Sequence, residues 1–340
     1  MQDDALGIKS PYLMFLGDAP DQLAAKTADG VKHWRESWCL GQRRLEGCNA
    51  DLGLPDMDIP AAAAAGVKTV VLGVANRGGV VGETWRAELV AALESGMDIA
   101  SGLHTHLADI PELADAAART GQRLIEVRHP RRSFAVASSA PRSGKRLLTV
   151  GTDCSVGKMF TSLSIEREMH ARGMKADFRA TGQTGIFIAG DGVSVDAVVA
   201  DFISGATEWL TPPNDADHWD VIEGQGSLFH ASYAGVSLGL LHGAQAQALV
   251  LCHEPTREHM RGIAHAPIPA LRACIDLNEC CGQLTAPGSR CVGVSINTAK
   301  LGEDEARSYL EGVESELGLP TTDAYRFGAA PLVDPLDVIN

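Results

Sequence analysis

The segment RLLTVGTDCSVGKMF, residues 146–160, constrains the fold of this chain more than any other. It reads as an apolar strand over 146–150, a glycine loop, and a helix over 157–172. The loop Gly151-Thr152-Asp153-Cys154-Ser155-Val156-Gly157-Lys158 has the pattern G-x5-G-K, one residue longer than the common phosphate loop. Backbone N–H groups of such a loop point inward and cradle phosphate oxygens, and Lys158 adds a point charge on the same oxygens. A plain strand-to-helix turn with a chance Gly-Lys would not explain why strand, loop and helix all agree.

The residue after the lysine departs from that pattern. A Ser or Thr normally binds magnesium there, and this chain has Met159. Thr161 is no simple substitute, because two residues along a helix is about 200° of rotation. One inner-sphere magnesium ligand is therefore missing, with Asp153 and Glu223 as the remaining groups that could hold a metal. A pyrophosphate that is bound but not cleaved needs no such metal. Coenzyme A carries one, so the loop is read as holding a carrier rather than spending ATP; magnesium is not required.

Strand and helix alternate on both sides of this segment. Tyr12 to Leu16 is a short apolar strand, and KTVVLGV (68–74) is a continuous apolar run of the kind buried in a parallel sheet. ETWRAELVAALESG is a helix stopped by Gly96, and MDIASGLH is a strand. ADIPELADAAARTG is a helix with Pro111 in its first turn and Gly121 at its end, before the strand QRLIEVRHP. AAAAAG at 61–66 is read as a helix end. The stretch 129–146, rich in Arg, Ser and Pro, is read as a linker. Beyond it, strands are expected at 175–180, 219–222, 248–252 and 290–296, and a helix at about 192–204. The expected fold is α/β: a Rossmann-like parallel-sheet domain over 1–135 and a P-loop NTPase-like α/β domain over 136–340. The 36 glycines suit its many tight turns, and 45% hydrophobic residues with 5% aromatics allow a large aliphatic core.

A net charge of −14 disfavours general nucleic-acid binding, though not a phosphorylated small molecule at one helix N-terminus. No run of 18 apolar residues marks a membrane span, and MQDDALGIKSPYL is not a secretory signal. The eight cysteines form no C-x-x-C pair, and the spacing of Cys274, Cys280, Cys281 and Cys291 fits no standard zinc site. They are read as reduced thiols of a cytoplasmic protein. The alternating histidines of HTH (104–106) have no third clear ligand nearby, so no metal is expected there.

Three further stretches carry polar groups at strand ends, where ligands of open α/β sheets sit. ATGQTGIFIAGDG (180–192) offers Thr181, Gln183 and Thr184 in what reads as a glycine-rich loop; Arg179 precedes it. HWDVIEGQGSLFH (218–230) carries Glu223 into a Gly-Gln-Gly turn. Glu223 is the first candidate base and His230 the second, with Gln225 and backbone N–H groups of 224–226 as oxyanion donors. LVLCHEPTREHMRG (249–262) spaces Arg257 and Arg261 four apart, either to grip carboxylates or, the blander reading, as a solvated helix face. In the first half, Asn76-Arg77-Gly78-Gly79 opens a helix after a strong strand, with Arg77 placed to bind a carboxylate or phosphate.

The loop form GTDxxVGK resembles that of dethiobiotin synthetase and its relatives, which use ATP and magnesium and have Thr where Met159 stands. Taken together, GTDCSVGKM, RATGQTGIFIAGDGVSVDAVVADF, VIEGQGSLFH and GVSINTA behind VANRGG resemble one family over nearly the whole chain: the D-glutamate N-acetyltransferases, long a family of unknown function. Met159 fits that family's own pattern. The resemblance implies acetyl-CoA as donor, D-glutamate as acceptor, phosphate on residues 151–158, and a pathway partner that racemises N-acetyl-D-glutamate. The expected reaction is direct attack of the amine on the thioester, with Arg179 and Arg77 on the substrate carboxylates. A homo-oligomer is expected. Three alternatives stand: a covalent route through Cys154, whose thiol at a helix N-terminus should be acidified; an ATP- and magnesium-dependent ligase or kinase; and a nucleotide-sensing module.

Overall fold

The computed structural model describes residues 6–22, 24–74, 79–130 and 132–339. They divide into two compact units, one of residues up to 131 together with 182–197, the other of 132–181 and 198 onward.

The first unit holds strands β1 (Tyr12–Gly17), β2 (Cys39–Arg44), β3 (Thr69–Leu72), β4 (Asp98–Ser101) and β5 (Leu124–Glu126), with helices α1 (Lys26–Trp34), α2 (Ile59–Ala64), α3 (Glu83–Glu94) and α4 (Pro111–Thr120). Its sheet is parallel in the order β2-β1-β3-β4-β5. All four residues of β3 and of β4 are buried, as a strand covered on both faces requires. Gly121 ends α4 in the left-handed conformation. At the end of β1, Gly17 has φ +52°, and a Cβ there would lie 2.6 Å from the buried Trp85 ring. Glycine is thus demanded twice at that turn.

The second unit holds β6 (Lys145–Gly151), α5 (Lys158–Ala171) and β7 (Ala176–Arg179). After the 182–197 excursion, which carries helix α6 (Gln183–Ala189) into the first unit, come α7 (Ile203–Leu210), β8 (Trp219–Ile222), α8 (Ala234–Ala244), β9 (Ala248–His253), α9 (Leu271–Gln283), β10 (Arg290–Ile296), α10 (Glu303–Leu317), β11 (Thr321–Thr322) and α11 (Ala330–Val333). The sheet is again parallel, in the order β11-β10-β9-β6-β8-β7. The strand order reverses around β6, which makes its carboxyl end the place for a ligand. Two buried clusters cover the faces, one around Leu249, Leu251 and Val294, the other around Leu147, Val221 and Val250.

Two expectations fail around 180–204. The glycine-rich stretch is not simply a loop: QTGIFIA forms α6, with Gly185 to Ile188 buried. Burial of that apolar run supplies what its glycine content withholds. The helix expected at about 192–204 is absent, because Gly190 caps α6 in the left-handed conformation and Gly192 has φ +151°; regular helix resumes only at Ile203. The run 254–262 is likewise a series of turns and not a helix.

Candidate active site

The loop after β6 is built as the sequence implies. Ser155 adopts φ +54° and Gly157 φ +105°, a left-handed entry into α5. Lys158 is buried and folds back over the loop, donating to the carbonyl oxygens of Asp153 (2.8 Å) and Gly226 (2.9 Å). Burial holds its pKa below the usual lysine value. A Cβ on Gly151 would stand 3.0 Å from that ammonium, so glycine leaves the lysine its path.

Arg257 and Arg261 fix the loop's outer side. Arg257 Nη1 donates to Asp153 Oδ2 (2.6 Å) and the Cys154 carbonyl (2.7 Å), and Nη2 donates to the Ser155 carbonyl (3.2 Å). The Arg261 N–H donates to Asp153 Oδ2 (2.8 Å), and its side chain donates to the Ser155 hydroxyl. Asp153 is fully buried. Burial alone would raise its carboxyl, but the N–H of Arg261, the Arg257 guanidinium and the N–H of Cys154 together hold it below the usual carboxylate range. The arginine pair, read mainly as a solvated face, therefore holds the phosphate loop. The Thr152 N–H is spent on the Cys252 carbonyl (3.1 Å) and the Cys154 N–H on Asp153 Oδ1 (2.7 Å), so a ligand would meet the other N–H groups of the loop.

Thr181, Glu223 and Gln225 come together on the neighbouring strand ends. Glu223 is 5% exposed; its Oε2 accepts the Thr181 N–H (3.0 Å), and its carbonyl accepts the Thr181 hydroxyl (2.6 Å). Gln225 Nε2 donates to Thr181 Oγ1 (3.0 Å), using one of its two N–H bonds. The Gly224 N–H is spent on Thr149 Oγ1 (2.9 Å), which removes it from the oxyanion donors expected at 224–226. A Cβ on Gly224 would meet the Thr149 carbonyl at 1.7 Å, so the turn after β8 can pass β6 this closely only with glycine.

His230 is held on both sides. Its Nδ1 accepts the Ser232 N–H (3.2 Å), which places the proton on Nε2, and Nε2 donates to the Arg261 carbonyl (3.0 Å). The ring stacks on Tyr233 and is 1% exposed. Its geometry is that of a brace beside Asp153, 3.8 Å away, with no lone pair turned to a substrate.

Three of the remaining expected residues have other neighbours. The Arg179 guanidinium turns back along the sheet to Asp220 (2.7 Å) and Asp177 (3.1 Å), each two residues before the strand end. Gln183 and Thr184 belong to the first unit: Gln183 packs where a Cβ on Gly102 would be, and the Thr184 hydroxyl donates to Thr27 Oγ1 (3.4 Å). Arg77 lies outside the described residues.

Two chemical expectations change. Burial and the adjacent Asp153 carboxylate raise the Cys154 thiol above its ordinary value, against the acidification that a helix N-terminus suggests. The residues beside Lys158 do not offer magnesium its usual ligands either. Met159 offers a thioether, the Thr161 hydroxyl is tied to Ser295 of β10 (2.8 Å), and the Asp153 carboxylate is taken by Arg257 and Arg261. Asp153, Cys154 and His230 bring ligand atoms within 4.8 Å of one another, yet both His230 nitrogens and both Asp153 oxygens already have partners.

Two parallel α/β units, one carrying a braced phosphate loop, define a P-loop protein with a Rossmann-like companion. The family descriptions agree: "Domain of unknown function (DUF1611_C) P-loop domain" matches residues 133–333, and "Domain of unknown function (DUF1611_N) Rossmann-like domain" matches 43–130. The chain belongs to the DUF1611 family. It is 55% identical over 332 residues to a D-glutamate N-acetyltransferase of Tritonibacter scottomollicae, covering 98% of this chain and 100% of that one. It is 47% identical to another protein of that name from a Pseudoalteromonas species, covering 96% and 98%. The crystal structure of a DUF1611 family protein from Anabaena variabilis superposes with a TM-score of 0.86 at 34% identity, covering 97% of this chain and 99% of that one.

Proposed function

We propose that this protein is an acyltransferase that moves the acetyl group of acetyl-CoA to the amine of D-glutamate, giving N-acetyl-D-glutamate and free CoA. The observation that carries this reading is the near full-length similarity, at 55% and 47% identity, to two proteins named D-glutamate N-acetyltransferase. The site chemistry supports it, since a phosphate loop without a magnesium ligand suits a phosphorylated carrier that keeps its phosphates.

The loop N–H groups of residues 151–158 other than those of Thr152 and Cys154, with Lys158, hold the CoA phosphates. The amine of D-glutamate attacks the thioester carbonyl, and a C–N bond forms. Glu223, oriented through Oε2 by the Thr181 N–H, takes the amine proton. Gln225 places its second amide N–H on the developing oxyanion. The tetrahedral intermediate collapses, the C–S bond breaks, and the CoA thiolate leaves and is protonated. In this scheme His230 braces the loop and does not act as the base.

Among the described residues no helix is long and apolar enough to cross a membrane. We place the enzyme in the cytoplasm as a homo-oligomer, in a D-amino-acid breakdown route with a racemase acting on its product. The experiment is product detection by mass after mixing the protein with isotopically labelled acetyl-CoA and either D- or L-glutamate. Labelled N-acetylglutamate from the D-isomer alone is the predicted result; equal product from both isomers would overturn the assignment of the acceptor.

A further inference from the structure

We propose that His106, Glu126 and His129 of the first unit form a binding site for one zinc-class divalent cation. The proposal is independent of the acetyl-transfer reading. Strands β4 and β5 pair in parallel with Ser101 opposite Glu126, so the chain leaves both at the same edge of the sheet. That edge is the carboxyl edge, where α/β sheets place their ligands. The loop after β4 delivers His106, β5 ends in Glu126, and the chain just beyond it delivers His129. Separation in sequence hid this set: HTH alone has no third ligand, and parallel strand pairing supplies it.

One ligand atom from each of the three lies within 4.8 Å of the other two. Glu126 Oε2 lies 2.5 Å from His106 Nδ1, and Oε1 accepts the Leu107 N–H, which fixes the carboxylate as an outer-shell partner does in metal sites. The His106 and His129 rings are stacked 3.7 Å apart at 22°, so holding one ion on both requires the rings to swing apart until their in-plane lone pairs converge. The stretch after β5 is anchored independently, by Ser194 donating to the Val127 carbonyl (3.1 Å) and Arg128 pairing with Asp196 (2.8 Å).

A hydrogen-bonded His–Glu pair accounts for only part of this. His129 Nε2 is shut off from water and has no hydrogen-bond partner. A buried nitrogen left without a partner is costly. A divalent cation on one nitrogen of each imidazole and on the carboxylate accounts for the convergence of the three side chains. This donor set is the one that holds zinc with a coordination position left open, and imidazole selects zinc, copper, nickel or iron over magnesium and calcium.

The test uses the full, untagged chain stripped with chelator and titrated with Co²⁺, then Zn²⁺. The expected result is one equivalent of Co²⁺ per chain, with visible bands of low coordination number, no thiolate charge-transfer band, and displacement by Zn²⁺. His106→Gln and His129→Gln should each weaken uptake by at least about 100-fold. His106 is 45% exposed, so His106→Gln keeps the fold, checked by thermal melting, and decides the question even if His129→Gln does not fold. No stoichiometric uptake, uptake unchanged in His106→Gln, or thiolate bands that place the ion on a cysteine would each overturn the proposal.

Discussion

Arg257 Nη1 lies 2.6 Å from Asp153 Oδ2 and 2.7 Å from the Cys154 carbonyl oxygen, so one guanidinium grips both the side chain and the backbone of the phosphate loop. Removing it strands a fully buried carboxylate, a change that typically costs about 3–5 kcal/mol. Arg257→Ala should lower the melting temperature and raise KM for acetyl-CoA at least about tenfold. Arg257→Lys should recover little, because an ammonium cannot span carboxylate and carbonyl as the planar fork does. Thermal melts and steady-state kinetics check this; an unchanged KM would mean that the loop orders itself without the brace.

Glu223 and His230 separate by function. Glu223→Gln keeps an oxygen for the Thr181 N–H and loses the base, so kcat should fall about 10²- to 10⁴-fold with little change in KM for acetyl-CoA. His230→Asn should act mainly on stability, since both ring nitrogens are committed to Ser232 and Arg261. The kcat and KM of the two variants decide it: a larger kcat loss in His230→Asn would reverse the assignment of the base.

Cys154 should be dispensable for turnover. Its thiol is raised by burial and by the Asp153 carboxylate, so little thiolate exists at neutral pH. Cys154→Ser should retain kcat, with no acetylated protein in mass spectra of the wild type under turnover. An acetyl adduct on Cys154 together with a dead variant would establish the covalent route instead.

Burial pushes the His253 imidazole down to about 4 from its ordinary 6.5, with Glu254 opposing and Arg257 adding to the shift. The folded chain keeps Nδ1 neutral 3.0 Å from the Thr152 hydroxyl. Between pH 6.5 and 4 the unfolded chain binds a proton that the folded chain does not. Stability is therefore full above about pH 6.5 and falls as pH drops toward 4, by ~3 kcal/mol from this group. Denaturant unfolding across that range should show a shallower loss in His253→Gln than in the wild type; identical slopes would contradict the burial argument.

Much of the second unit was legible because its signals are local. Arg290–Ile296 appears as a strand where the apolar run predicts it, and the β6–loop–α5 passage needs only neighbouring residues. β2, with the sequence CLGQRR, has no alternating apolar pattern and was not foreseen. Its residues become strand through pairing with β1. The assignment of 182–197 to the first unit also escaped, since nothing local in QTGIFIA names the surface that buries it. The loop Gly151 to Lys158 and the place of Glu223 just past a strand end could be read from motif and position. The grip of Arg257 on Asp153 could not, because 104 residues separate them and the run that carries Arg257 reads more readily as a solvated helix face.

On the proposed function, this phosphate loop holds acetyl-CoA for transfer to D-glutamate and does not spend ATP. Its most direct test follows free CoA thiol in a mixture of protein, acetyl-CoA and D-glutamate, with neither ATP nor magnesium added. Thiol should be released one for one with N-acetyl-D-glutamate, at a rate unchanged by adding ATP and magnesium. No thiol until ATP and magnesium are supplied, with ADP formed in step, would contradict it.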